Sequence, residues 1–206
     1  MRLFAALIAA VMLPSFAWAG DLAVSVRTLA GKPVADAVVM LRPQGGVPKG
    51  PIRFAWPYRM AQQKMQFAPF VLLVPVGAEV SFPNLDLVLH HVYSFSPAKT
   101  FELKLYGHDE TRRVRFDKPG VVAVGCNIHD SMAGFIRVVD TPYAAKTDAA
   151  GEAVIRGVPE GPVQATLWHP YLKAPRNELV QNVAAGAARL NFTADLRAPP
   201  MRHGAY

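Results

Sequence analysis

Residues 121–139 read VVAVGCNIHDSMAGFIRVV, two apolar runs separated by a short polar loop. Residues 121–124 and 134–139 are rich in Val, Ile and Phe, residue types that fit a pleated, half-buried surface. The loop between these strands carries Cys126, His129 and Met132 at successive intervals of three residues. Cys126 is the only cysteine of the chain. One thiol excludes both a disulfide scaffold and a four-cysteine zinc ribbon.

The same strand pattern continues on both sides of this loop. Residues 21–27 (DLAVSVR) alternate apolar and polar side chains, and residues 37–41 repeat the strand signal after the turn at Gly31-Lys32-Pro33. Residues 44–51, rich in Gly and Pro, read as loop, and residues 58–66 (YRMAQQKMQ) as a short helix. Short strands are expected at 70–75, 79–82, 92–95, 101–105 and 112–116, then at 152–156, 163–168 and 188–196. The chain has 206 residues, 51% of them hydrophobic, with 18 Pro and 15 Gly spread along it. Long helices have little room among so many breakers, and intrinsic disorder does not suit so apolar a composition. Turn residues at intervals of roughly 8 to 12 residues predict an all-β chain of sandwich architecture.

A thiolate and a thioether are soft ligands that select Cu(I), and imidazole serves both copper oxidation states. Upstream of the loop, His90-His91 lies on a strand that follows Asn84-Leu85-Asp86. Two His and one Cys in a plane with a weak axial Met form the blue-copper arrangement. Seen singly, His129 reads as a surface histidine and Met132 as core; their joint spacing after the sole cysteine favours a metal loop. His108 reads as a solvated turn residue. His169 reads as a buried hydrogen-bonded residue, with a second metal group as the alternative. Met60 and Met65 read as packing on the short helix, with weak capture of Cu(I) as the alternative.

Residues 67–139, with Val76-Gly77, Val80, Phe82, His90, Val92 and the CxxHxxM loop, resemble a cupredoxin with an amicyanin-like ligand loop. The fuller string FPN, HHVYSFS, GCNIHDSM, VVDTP and WHP is similar to cupredoxin-like methylamine-utilisation proteins. The resemblance implies a Greek-key β-sandwich holding one copper ion, Cu(I)/Cu(II), with His90, Cys126, His129 and Met132 as ligands. Three positions depart from the family pattern. His91 stands where Asn often follows the first ligand, Ile128 where Pro often precedes the second His, and Gly125 precedes Cys126 without an aromatic residue in its strand. Strand alternation puts His91 on the same face as Leu87, Leu89, Tyr93 and Phe95, whereas the resemblance points to His90. A bulge beside the site would reconcile the two.

The flanks resemble carboxypeptidase-regulatory-like, transthyretin-like β-sandwiches, through Gly31-Lys32-Pro33 and Lys146-Thr147-Asp148 with Gly151. The expected organisation is a signal peptide at 1–19, N-terminal strands and linker at 20–66 packing on either sandwich, the copper domain at 67–140, the regulatory-like module at 141–196 and a flexible tail at 197–206. Arg2, an apolar run to Leu13 and the Ala17-Trp18-Ala19 sequence give the signal reading; the run is shorter than the roughly 20 residues a membrane span needs. Export to the periplasm follows, with no membrane span after cleavage.

No GxSxG, HExxH, GxGxxG or P-loop sequence occurs. Lys and Arg number 22 against 15 Asp and Glu, a formal charge of +7, but they are scattered, which argues against nucleic acid. Arg112, Arg113 and Arg115 form the densest cluster. The charge points instead to docking of a redox partner with an acidic surface, or to a merely soluble basic face. The expected function is single-electron transfer without catalysis. The alternative is a non-catalytic copper-binding or structural accessory to the maturation of an exported enzyme.

Overall fold

The computed structural model describes residues 20–198, so the expected signal segment and the end of the tail lie outside the described residues. In chain order the strands are β1 (Gly20–Thr28), β2 (Val38–Pro43), β3 (Ala61–Gln62), β4 (Phe67–Ala68), β5 (Val71–Pro75), β6 (Ala78–Pro83), β7 (His90–Ser96) and β8 (Lys99–Tyr106). There follow β9 (Thr111–Phe116), β10 (Gly120–Cys126), β11 (Ala133–Val139), β12 (Ala144–Lys146), β13 (Glu152–Val158), β14 (Val163–Trp168), β15 (Glu178–Val183) and β16 (Arg189–Ala194). The chain is all-β; among the described residues the one helical turn is a 3-10 turn at Pro175–Asn177. No helix there is long and apolar enough to cross a membrane.

Two sandwiches result. In the first, the sheet β5-β11-β10-β7-β8 faces the β6-β9 pair. Their inward side chains, among them Val80, Phe82, Val92, Phe116, Val122 and Ile136, are fully buried in one core. β5 and β11 run parallel while β10 and β11 form an antiparallel hairpin, the crossover pattern of a Greek key. In the second sandwich, β13-β1-β16 faces β12-β2-β14-β15 over a separate core. β1 pairs antiparallel with β13 and parallel with β16. β2 lies between β12 and β14. The N-terminal strands thus complete the sandwich built from the C-terminal third of the chain. Their alternation buries Leu22, Val24 and Val26, but which partner receives them is a matter of long-range register.

A third apolar cluster joins the sandwiches. Val38, Met40 and Trp168 come from one side, Val71, Leu73 and Val139 from the other. Each such side chain contributes about 2 kcal/mol on burial, so the two units are packed together rather than strung on a linker. Arg137 on β11 reaches across this junction. Its guanidinium sits 2.8 Å from Glu178 Oε1, 3.3 Å from Met40 Sδ and 5.7 Å from the Trp168 ring centroid. Arg137→Ala leaves the largely buried Glu178 carboxylate only its longer, 3.5 Å pairing with the exposed Arg176 and is expected to cost about 3 kcal/mol, whereas Arg137→Met with Glu178→Leu should recover most of that loss. Urea unfolding of the three proteins measures the difference.

Several strands were not apparent in the pattern. Residues 58–66 are not a helix. Lys64 and Met65 have φ of 55° and 52°, and Gln63 and Gln66 exchange two backbone hydrogen bonds, so the segment is a tight hairpin between β3 and β4. Both central residues take the left-handed region that a type I′ turn demands and that non-Gly residues disfavour. Asp86 compensates, because its carboxylate accepts hydrogen bonds from Lys64 N at 2.6 Å and Met65 N at 2.9 Å. Met60 and Gln62 are buried, Gln62 by accepting a 2.5 Å hydrogen bond from the Tyr106 hydroxyl. β15 carries no strand signal in its sequence, because Val180 is exposed and Gln181 and Asn182 carry no apolar alternation.

His169, in the turn after β14, is buried and accepts a 3.2 Å hydrogen bond from Tyr171 N at Nδ1. Burial lowers its pKa from 6.5 to about 4, outweighing the charge of Asp36. The folded state therefore favours neutral His169. Its contribution is fully present above about pH 6.5, falls as the unfolded chain protonates, and is gone below about pH 4. The loss amounts to as much as about 3 kcal/mol. Urea midpoints of wild type and His169→Gln at pH 7 and pH 4.5 should show the steeper fall in wild type.

Candidate metal centre

The β10–β11 hairpin carries the loop of residues 126–132 at its closed end, since pairing runs to Gly125 opposite Ala133. Within the loop Met132 N donates to His129 O at 3.0 Å, which folds the segment into a tight turn. β7 lies on the other side of β10, with Val92 opposite Cys126. This neighbouring register brings His90 beside Cys126. A second tie runs from Asn127 N to His91 O at 2.9 Å.

The donor atoms of His90, Cys126 and His129 lie within 4.8 Å of one another. Cys126 Sγ is 3.6 Å from Nδ1 of His90 and 3.6 Å from Nδ1 of His129. The two imidazoles meet edge to face, their centroids 5.0 Å apart. His90 is fully buried, Cys126 and Met132 are buried in the same apolar core, and His129 is partly exposed. Thus three expected donors converge and the fourth residue, Met132, packs in the cluster that encloses them.

Asp86 is the residue the sequence pattern did not single out. Its Oδ2 accepts a 3.0 Å hydrogen bond from His90 Nε2. With Nε2 engaged by Asp86, Nδ1 is directed toward Cys126, the outer-shell arrangement that orients a metal-binding histidine. Asn84 holds Asp86 in turn: its Oδ1 accepts from Asp86 N at 2.9 Å, and its Nδ2 donates to Val88 O and Tyr106 O. The available signal was the carboxylate four residues before His90 in Asn84-Leu85-Asp86.

Charge is shared across this cluster. Burial pushes the Cys126 thiol up, but hydrogen bonds from His90, the backbones of His91 and Ile128, and His129 bring its pKa down to about 6. Burial also pulls His90 down, and is outweighed by Cys126 and Asp86, which raise it. Burial raises Asp86, yet its bonds to Met65, His90 and Lys64 leave it below the ordinary carboxylate value. A thiolate is therefore accessible near neutral pH in a water-poor pocket. The donor set of one thiolate and two imidazoles, with a thioether residue beside it, fits copper in both oxidation states.

His91 does not enter the cluster. Its ring is on the outer face of β7, where Nε2 lies 2.8 Å from Glu102 Oε1. Alternation along β7 is regular, burying His90, Val92 and Ser94. The alternation that set His91 inward with Tyr93 and Phe95, against the resemblance that favoured His90, does not hold: Phe95 is 81% exposed and Leu87 and Leu89 precede the strand. A register shift does occur here, but the extra residue lies on β8, between Leu103 and Tyr106. Gly125 has its own reason. The Tyr93 ring crosses over from β7 and would stand 3.1 Å from a Cβ at that position. His108 is exposed in a turn, its Nδ1 3.2 Å from Asp86 O. The candidate metal group found among the described residues does not include His169.

No protein-family model matches the chain, and no curated protein matches it. Solved structures do. A purple cupredoxin from Nitrosopumilus maritimus aligns at 22% identity over 39% of this chain and 98% of its own, with a TM-score of 0.36. A reduced tryptophan-to-tyrosine mutant of amicyanin aligns at 18% identity over 50% of this chain and 99% of its own, with a TM-score of 0.38. A copper-containing nitrite reductase from Thermus scotoductus aligns at 27% identity over 57% of this chain and 28% of its own, with a TM-score of 0.39.

Proposed function

We propose that His90, Cys126, His129 and Met132 hold one copper ion and that the protein carries single electrons between partners in the periplasm. The observation that carries this reading is the buried convergence of Cys126 Sγ with two imidazole Nδ1 atoms, each at 3.6 Å. Copper bound there supplies a one-electron couple, Cu(II)/Cu(I). The chain's own part is rigidity. Cys126, His129 and Met132 ride on one tight loop of a hairpin, and His90 is locked by Asp86, so little rearrangement need accompany a change of charge.

His129 is the partly exposed ligand and so the expected point of electron exit. Exposed apolar residues flank the two histidines: Leu87, Val88 and Leu89 before His90, and Ile128 before His129. Such a rim suits transient contact with a redox partner. The basic cluster is less available than its sequence suggested, because Arg112, Arg113 and Arg115 pair with Glu110, Glu79 and Asp117. The net positive charge then favours an acidic partner by long-range steering, with the apolar rim as the contact face.

Adding Cu(II) to the exported protein tests the reading. An intense thiolate-to-copper band in the visible, together with a reversible one-electron potential, is the expected result. Copper binding without a reversible couple would favour the accessory role, and absence of the band would rule out a type 1 centre.

A further inference from the structure

On the side of the molecule formed by the sandwich junction lies a cleft of about 560 Å³. Its walls come from both units: Trp56, Arg59 and Leu72 from the first, Lys146, Ala153 and Val154 from the second. The volume lies within the range of small-molecule pockets. Trp56 is fixed before any ligand arrives, since its Nε1 donates to Leu73 O at 2.8 Å and its ring stacks on Phe54 at 4.6 Å, 7° from parallel. An aromatic wall that is already immobilised loses little entropy on binding.

The polar side of the cleft is cationic. No carboxylate lines it among the described residues. Lys146 is already engaged in an ion pair with Asp36. Arg59 makes no ion pair among the described residues, although its backbone is held by the bridge to Ser81. A cleft lined by this arginine, a rigid indole and aliphatic walls is complementary to an anion with an apolar aromatic body. A guanidinium meets a carboxylate through two parallel hydrogen bonds, which fixes orientation as well as charge.

We infer that this junction cleft binds an aryl-alkyl carboxylate, with the carboxylate on Arg59 and the ring against Trp56. The site is separate from the Cys126 loop and does not depend on copper. Isothermal titration of the full exported chain with 4-phenylbutyrate tests it, with the uncharged 4-phenylbutanol as the comparison. Wild type is expected to bind the acid with a dissociation constant of ~1 mM or tighter. Arg59→Gln should weaken the acid roughly tenfold or more and leave the alcohol unchanged. Val154→Trp, at an exposed position on the cleft wall, should obstruct both ligands while the urea midpoint stays that of wild type. Absence of saturable binding of the acid by wild type, or equal binding of the acid by Arg59→Gln, would overturn the assignment. So would undiminished binding by Val154→Trp.

Discussion

Cys126→Ser is expected to abolish the intense visible band of the copper-loaded protein and to lower copper affinity by more than about a hundredfold. The band requires a sulfur-to-copper charge transfer, which an oxygen ligand cannot supply. The serine hydroxyl also stays protonated where the Cys126 thiol, with a pKa of about 6, has already ionised. The fold should persist, because the loop is held by the β10–β11 pairing, by Asn127 N to His91 O and by Met132 N to His129 O. None of these bonds involves the sulfur. Visible absorption gives the first readout and the far-ultraviolet circular dichroism of the metal-free variant gives the second. An unchanged visible spectrum in a folded variant would sink the type 1 assignment.

The second large effect separates two adjacent histidines. His90→Ala should remove the visible band and lower copper affinity by more than about a hundredfold, since it deletes an imidazole 3.6 Å from Sγ. His91→Asn should keep the band with at most a modest change in potential. What His91 gives the loop is main chain: its carbonyl accepts from Asn127 N, and its backbone helps to lower the Cys126 thiol pKa. Its side chain bonds to Glu102, on the outer face. Loss of the band in His91→Asn with retention in His90→Ala would reverse the ligand assignment. Asp86→Asn refines the test, because an amide can rotate to accept from His90 Nε2 but carries no charge. It should retain copper while shifting the potential upward.

Local chemistry was legible in the sequence. The interval of three residues between Cys126, His129 and Met132 lies inside one hairpin loop, so short-range geometry alone keeps these side chains together. Strand after strand was readable for the same reason, since alternation of the kind seen in Leu22, Val24 and Val26 is a property of neighbours along the chain. That the His90 ring and not that of His91 faces Cys126 was not readable from alternation. Tyr93 and Phe95 are apolar yet lie on the outer face of β7, so the hydrophobic pattern there pointed the wrong way.

Only the tertiary structure decided what depends on residues far apart. Residues 58–66 have the composition of a helix, but Asp86 stabilises a left-handed turn at Lys64 and Met65 that the local sequence would not choose. That same carboxylate orients His90, so the hairpin and the candidate metal centre are held by one side chain. β1 reaches its partners β13 and β16 across more than half the chain, and Arg137 finds Glu178 across the junction of the two sandwiches. Periodicity tells which face of a strand is apolar; it carries no information about which distant strand will cover that face. Pairing, register and the outer shell of the site are fixed by packing, where the burial of apolar area and the satisfaction of each buried polar group are settled together.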